Sequence, residues 1–334
     1  MESVVFGLDE SSMSEGYASC ALPSWAGAFN DEMIDYWAGE VLWNHDMANF
    51  TTYRVGGTAE AIIFPTGINE LAQLLKGIKR LNIPCRLIGG GSNILVADEG
   101  LCGITLIVGR RFANIEVIKE VADRVYVKIE AGCSLGRFVS WCIEQGLSGL
   151  EFAAGIPGTV GGALVMNAGA WGSEISQVLT SVTVMDENGD YAVKDIDNFH
   201  YSYRSWGEPT GRIAVEGVFH LRRADKMAIK KACQQLVANR KQCQPKEASC
   251  GSFFKNPEHG KPAGQLIDEA GLKGARFGGA MVSPLHANFL VNTGDASAHD
   301  LIGLMKVVQV EVKKKFGVLL VPEVKLLGFG VNTL

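Results

Sequence analysis

The sequence predicts a soluble, intracellular protein of the α/β class. Three observations lead there. Its 334 residues are 47% apolar and 20% charged, enough to build about two domains with real cores. Strand-like apolar runs alternate along the chain with segments of helical periodicity. Glycine is in excess, 40 of 334 or about 12% against a typical value of about 7%, with no Gly-X-Y period. The excess implies many tight turns and close backbone approaches to a ligand.

The N-terminal 49 residues are acidic and hold three of the six tryptophans, Trp25, Trp37 and Trp43. They read as a surface extension packed by its aromatics, with a short helix within 31–43. Ala61 to Phe64 is a buried strand, and Leu71, Leu74, Leu75 and Ile78 recur at helical spacing. Pro84 to Ile88 is a second strand, ended by glycines 89–91. Val125 to Ile129 alternates as a strand, and Ser134 caps a helix with Leu135, Phe138, Val139 and Cys142 on its apolar face. Val182 to Met185 and Tyr191 to Val193 flank Asn188-Gly189, a hairpin signal. A helix over 226–242 would turn Ile229, Cys233, Leu236 and Val237 inward and Lys230, Lys231, Arg240 and Lys241 largely outward. A late helix from Asp300 ends in Lys313-Lys-Lys315 before Gly317, cations matching its dipole. Three units follow, at 50–108, 109–222 and 223–322, with a last strand within 319–328 returning to the first.

Charge and cysteine usage narrow the function. A net charge of −5 argues against general nucleic-acid affinity, though not against a local basic groove. The first Lys or Arg is Arg54, after nine acidic residues, so a secretory or mitochondrial leader is not expected. No run of eighteen apolar residues suggests a membrane span. Eight cysteines without a Cys-x-x-Cys pair suit reduced thiols, and no histidine spacing suggests a metal.

Five segments could carry chemistry. Gly89-Gly-Gly-Ser-Asn93 follows a buried strand; it reads equally as a phosphate cradle with Ser92 and Asn93 side-chain donors or as an ordinary turn. It matches neither the dinucleotide fingerprint nor a P-loop. Ala154 to Gly162 and Asn167 to Gly172 are two more glycine-dense loops, suited to a flat or anionic ligand against bare backbone. Cys250-Gly-Ser-Phe-Phe-Lys-Asn-Pro257 gathers hydroxyl, cationic and amide groups, with Cys250 itself read as a small buried residue. His286-Ala-Asn288 and Pro322-Glu-Val324 say little alone.

Together these segments resemble the UDP-N-acetylenolpyruvoylglucosamine reductases, the MurB family. Thr51-Thr-Tyr-Arg-Val-Gly-Gly57, Gly89 to Asn93, Gly155 to Gly162, Tyr203-Arg204-Ser205, Cys250 to Pro257 and Pro322-Glu-Val324 stand in the family's order across residues 40–330. Short spacing from Tyr203 to Ser252 and on to Gly264 is similar to the compact type II members. The resemblance implies a three-domain α+β fold: a two-domain FAD-binding unit of the vanillyl-alcohol-oxidase/PCMH type (50–108 and 109–222) and a C-terminal substrate domain (223–322), with a strand at about 323–334 returning to the first. It implies non-covalent FAD, held by Arg54, Gly89, Gly90, Gly91, Ser92, Asn93, Gly155, Ile156, Pro157, Gly158, Thr159, Gly161, Gly162 and Arg240. NADPH would be the co-substrate and a nucleotide sugar the substrate, contacted by Trp171, Tyr203, Lys241, Asn256 and His286, under a third domain that closes over it.

The implied reaction delivers a hydride from reduced FAD to the vinyl carbon of the enolpyruvyl group. Arg204 and a protonated Glu323 would stabilise the resulting enolate, and Ser252 would protonate it. The enzyme would serve peptidoglycan synthesis in the cytoplasm, as a monomer or weak dimer without nucleic-acid or membrane partners. The family's Arg-x-x-Lys before a proline is broken here, since Arg240-Lys-Gln-Cys-Gln-Pro245 has Cys243 at the Lys position. Lys241 is the neighbouring cation that can substitute. Two other readings stay open: a flavin oxidase on the same fold, and a nucleotide-sugar binder without flavin.

Overall fold

The computed structural model describes residues 22–33, 37 and 39–330, with the backbone of a strand at Val4–Phe6. The first unit comprises β1 (Val4–Phe6), α1 (Ala26–Met33), β2 (Val41–Asp46), β3 (Thr58–Ile63), α2 (Ile68–Arg80), β4 (Cys85–Ile88), β5 (Ile94–Val96) and β6 (Leu101–Ile107). Its sheet runs β1-β4-β6-β3-β2, with β3 and β4 parallel to β6. Alternation, interrupted in β3 by a bulge between Ala59 and Ala61, assigns the faces. Ala61, Ile63, Leu87, Ile104 and Leu106 meet Leu71, Leu74, Leu75 and Ile78 of α2 in the main core. Ala59, Ile62, Ile88, Leu101 and Ile107 turn to a smaller cluster on the other face with Ile94, Val96 and Leu327.

The second unit comprises β7 (Ile115–Val121), β8 (Arg124–Glu130), α3 (Leu135–Gln145), β9 (Leu147–Ser148), α4 (Val160–Val165), β10 (Gly169–Ala170), β11 (Ser173–Glu174), β12 (Leu179–Met185), β13 (Tyr191–Asp195), β14 (Ile213–Arg223) and α5 (Lys226–Cys243). Strands β13-β12-β14-β8-β7 form an antiparallel sheet. Val125, Val127 and Ile129 of β8 are buried, while Arg124 is exposed. The Ser134 hydroxyl accepts the Arg137 N–H at 3.2 Å, capping α3, and Gly189 takes φ 74° in the β12–β13 turn. That hairpin tip docks on α2, where Tyr191 donates to Asn69 at 3.1 Å and Lys79 pairs with Glu187 at 3.0 Å.

The third unit comprises α6 (Ala263–Glu269), β15 (Arg276–Phe277), β16 (Ala280–Val282), β17 (Leu290–Asn292), α7 (Ala298–Phe316) and β18 (Lys325–Leu327). A capping box of Ser297 with Asp300 opens α7, and Gly317 closes it at φ 71°. The chain then returns, because β18 pairs in parallel with β5. The buried Tyr53 donates its hydroxyl to the Leu290 carbonyl at 3.1 Å, and the Asn292 amide donates to the Tyr53 carbonyl at 3.0 Å. Asp98 accepts the N–H groups of Ala298 and His299 at 2.8 and 2.9 Å, so the first unit caps a helix of the third.

Four expectations change. The N-terminal helix is α1 at 26–33, not 31–43, and 41–46 is an edge strand held by β3, a partner local sequence cannot reveal. Phe29 and Met33 lie in the main core, so this stretch belongs to the first unit rather than to a surface extension. Residues 1–3, 7–21, 34–36, 38 and 331–334, including Cys20, lie outside the described residues. Helix α5 packs on α3, with Ile229 and Cys233 in the core of the second unit, although the sequence reading began the third unit at 223. The last strand is only three residues long, since the N–H groups of Glu323 and Val324 turn to the Phe253 carbonyl instead of to β5. Among the described residues no helix is long and apolar enough to cross a membrane, and no cluster of His, Cys, Asp and Glu could hold a metal.

Candidate active site

A cleft of about 500 Å³ lies where the three units meet. Its floor is the two glycine loops, 89–93 from the first unit and 155–159 from the second. They approach so closely that a Cβ on Gly90 would stand 3.1 Å from the Gly158 Cα, and one on Gly89 would stand 2.5 Å from the Thr159 hydroxyl. Gly158 has φ 108°, where a side chain would also meet Ser92. Gly91 serves the fold instead: at φ 63°, its Cβ would fall on the Phe50 carbonyl. Among the described residues, the N–H groups of residues 90–93 have no protein acceptor. The Arg240 Nε is buried without a partner in the same cleft. Bare backbone, unused donors and a guanidinium with a free Nε fit the FAD that the resemblance implies.

The reactive corner lies beside this floor. Arg204 sits in a tight turn closed by reciprocal backbone bonds between Ser202 and Ser205 at 2.9 and 3.1 Å. Its φ of 59° is left-handed, and the buried Asn167 amide holds the turn by donating to the Ser202 carbonyl at 3.2 Å. The guanidinium rests on the Tyr203 ring at 5.1 Å and donates through Nε to Glu323 Oε1 at 2.7 Å. Glu323 is fixed through its backbone: its N–H donates to the Phe253 carbonyl at 2.7 Å, and its carbonyl accepts the Asn93 amide at 3.2 Å. Burial pushes the Glu323 carboxyl above its usual pKa, while Arg204 and then Lys255 oppose the shift. Its Oε2 is buried with no partner. A neutral acid there would offer an O–H to a ligand in the cleft. Ser252 lines the same cleft, half-buried between Gly251 at φ 78° and the buried Phe253.

Arg204, Ser252 and Glu323 therefore line one cleft with residues 89–93, 155–159, Gly162, Arg240 and Trp171. Six other expected residues do not line it. Arg54 is exposed in a left-handed turn, so no cofactor contact follows from its position. Gly161 is buried behind the wall, where its N–H donates to the Ala131 carbonyl at 2.8 Å. Tyr203 is half exposed beneath Arg204, and Lys241 faces solvent. The Asn256 side-chain oxygen accepts the Ala263 N–H at 3.0 Å, opening α6. His286 Nδ1 accepts the Asn288 N–H at 3.2 Å, and its ring meets Phe289 edge-on at 4.8 Å.

Two donor assignments change as well. The Asn93 amide is committed to the Glu323 carbonyl, which leaves its backbone N–H for a ligand. Arg240 turns inward from α5 rather than outward. Burial raises the Cys250 thiol to about 12, and it donates to the Ile94 carbonyl at 3.1 Å, a structural role. Met166, Gln244, Ser249 and Phe289 also line the cleft. Met166 and Phe289 were foreshadowed only by adjacency to the glycine loop and to His286.

Comparisons with known proteins agree with this geometry. Residues 244–327 match the profile described as UDP-N-acetylenolpyruvoylglucosamine reductase, C-terminal domain, and residues 59–193 match an FAD binding domain. A UDP-N-acetylenolpyruvoylglucosamine reductase of Halalkalibacterium halodurans is 42% identical over 292 residues, 87% of this chain and 95% of that protein. One from Caulobacter vibrioides is 39% identical over 297 residues, again 87% and 95%. The crystal structure of the Thermus caldophilus enzyme superposes with a TM-score of 0.72 at 33% identity, covering 86% of this chain and 98% of that one.

Proposed function

The chain belongs to the UDP-N-acetylenolpyruvoylglucosamine reductase family, and we propose that it reduces the enolpyruvyl ether of UDP-N-acetylglucosamine to UDP-N-acetylmuramate with NADPH, in the cytoplasm. It is an FAD-dependent oxidoreductase of peptidoglycan synthesis. The observation that carries the mechanism is the Arg204–Glu323 pair, with its orphaned Oε2, in the same cleft as Ser252 and the glycine loops.

Bound FAD would supply the hydride-carrying chemistry that links NADPH to the vinyl carbon of the substrate. The residues of this chain do the rest. Addition at the vinyl carbon leaves an electron pair on its neighbour, delocalised into the substrate carboxylate. Arg204 and the neutral Glu323 hold that carboxylate, the former by its charge and the latter through the O–H on Oε2. Ser252 transfers its hydroxyl proton to the neighbouring carbon and recovers one from water, which its partial exposure admits. The loop N–H groups and Arg240 hold the diphosphate of the cofactor. Trp171, half exposed in the cleft lining, flanks the sugar nucleotide, whereas Tyr203, Lys241, Asn256 and His286 stand outside that lining and are assigned no contact with it. The first unit and the second, which runs through α5 to residue 243, act as the cofactor lobes, and the residues from 244 to 322 as the substrate lobe.

An anaerobic two-step titration tests this reading. NADPH should bleach the flavin without substrate, and the enolpyruvyl nucleotide should restore its colour. Rapid reoxidation by oxygen, with no response to the nucleotide, would identify a flavin oxidase and overturn the proposal.

A further inference from the structure

We propose that Asn288 is a positioning residue that sets Ser252 and Glu323 in register with each other, an inference resting on the reductase reading above. Asn288 is 3% exposed and outside the cleft wall, yet each of its polar groups is used. Its side-chain carbonyl accepts the Phe254 N–H at 3.0 Å, while its amide donates to the Phe254 carbonyl at 2.8 Å. Its backbone carbonyl accepts the Phe253 N–H at 2.7 Å. One residue thus supplies the complement that a neighbouring β-strand would give to residues 253–254. On the opposite side, the Phe253 carbonyl accepts the Glu323 N–H at 2.7 Å, and the Lys255 N–H donates to Val321 at 2.9 Å.

The segment bearing Ser252 is therefore clamped between Asn288 and the segment bearing Glu323. Phe253 is the shared element, joined covalently to Ser252 and by a hydrogen bond to Glu323. Gly251, at φ 78°, turns the chain immediately before the serine, and the buried Cys250 anchors the far side of that turn on the Ile94 carbonyl. Releasing the clamp moves the proton donor relative to the acid that holds the substrate carboxylate. A displacement of about 1 Å is enough to cost roughly 10²-fold in rate.

Asn288→Asp gives a signature that general loosening would not. The variant retains an acceptor for the Phe254 N–H, but its ionised second oxygen faces the Phe254 carbonyl. Protonation restores an O–H donor at that place, so acid should repair the clamp. The groups around it are His286, whose Nδ1 accepts the Asn288 N–H, with Lys255 and Glu323 on the adjoining segments; Gly264 of α6 packs against its Cβ. Asn288→Ala adds no charge and so reports their own titrations, and the difference between the two variants isolates the new carboxylate.

The experiment uses FAD-loaded parent, Asn288→Asp, Asn288→Ala and Ser252→Ala, with FAD occupancy and Tm recorded for each. Flavin reduction by NADPH should stay within about twofold of the parent in both Asn288 variants. Reoxidation by the enolpyruvyl nucleotide should slow by about 10²-fold at pH 8.5, with the substrate constant moving far less. In Asn288→Asp the ratio to parent should recover by about tenfold or more between pH 8.5 and pH 5.5. In Asn288→Ala it should not. If Ser252→Ala slows reoxidation while Asn288→Asp does not, or if the Asp variant shows the same ratio at both pH values, the inference is overturned alone. If Ser252→Ala reoxidises normally, the reductase mechanism fails and this inference fails with it.

Discussion

Replacing Arg204 with Met isolates the contribution of its charge, since the methionine chain can still lie on the Tyr203 ring. Two things are lost. The free protein loses a 2.7 Å charge-assisted bond to Glu323 Oε1, leaving a buried carboxyl with neither oxygen satisfied. The reaction loses a fixed donor aimed at the charge that develops on the substrate carboxylate. Removing one such donor costs about 2.7–4 kcal/mol, or 10²–10³ in rate. The Arg204 side chain is 24% exposed, so water can partly replace it, which places the effect near the lower end, about 10²-fold. Arg204→Lys restores a point charge but not the planar fork, and should recover only about tenfold of that loss. Both variants retain the left-handed backbone at this position, so its strain does not differ between them and the parent. Anaerobic stopped-flow on the flavin band separates the two half-reactions. Flavin reduction by NADPH should be nearly unchanged, and reoxidation by the enolpyruvyl nucleotide should carry the whole defect. Reoxidation of Arg204→Met within about threefold of the parent, or a parallel fall in both half-reactions, would rule out this role for the Arg204 charge.

Three further outcomes follow from the packing. Gly90→Ala, at an ordinary φ, presses a Cβ to 3.1 Å from the Gly158 Cα and should raise the FAD dissociation constant by about tenfold; Gly91→Ala should impair folding itself, because its Cβ falls on the Phe50 carbonyl. Equilibrium flavin titration and urea unfolding distinguish the two. Asp98→Ala removes both acceptors at the start of α7 and should cost about 1–3 kcal/mol in urea unfolding without altering the flavin spectrum; an unchanged midpoint would show that the cap is idle. Burial raises the Glu323 carboxyl above its unfolded value of 4.5, so the folded protein binds that proton more tightly. Its contribution to stability is present below that value and lost as pH rises through the higher folded one. Glu323→Gln, which cannot ionise, should therefore gain Tm over the parent as pH rises, with the gap closing below about pH 4.5; a pH-independent gap would contradict the raised carboxyl.

What the sequence discloses depends on how locally each feature is determined. Helix α2 is legible because Leu71, Leu74, Leu75 and Ile78 mark one face, and α3 because Ser134 caps it, both within a few residues. Strand β2 is not legible, since residues 41–46 become a strand only beside β3. The same division runs through the site. Arg204, Ser252 and Glu323 were reachable through motif order, but the bond between Arg204 and Glu323 spans 119 positions and the left-handed φ of Arg204 has no local signature. Asn93 looked like a ligand donor on composition alone; its commitment to a carbonyl 230 positions away is tertiary information. Asn256 and His286 were likewise expected at the substrate, and their ring and amide atoms bond within the third unit.

On the proposed mechanism this cleft separates hydride delivery from protonation, and Ser252 supplies the proton. The direct measurement is anaerobic double-mixing of Ser252→Ala, first with NADPH and then with the enolpyruvyl nucleotide. Flavin reduction should proceed at the parental rate, and reoxidation should slow by about 10²–10⁴-fold, the usual worth of a general acid. Ser252→Cys should recover part of the loss, because a thiol also carries a transferable proton. Equal slowing of both steps in Ser252→Ala, or no slowing of either, would contradict the account.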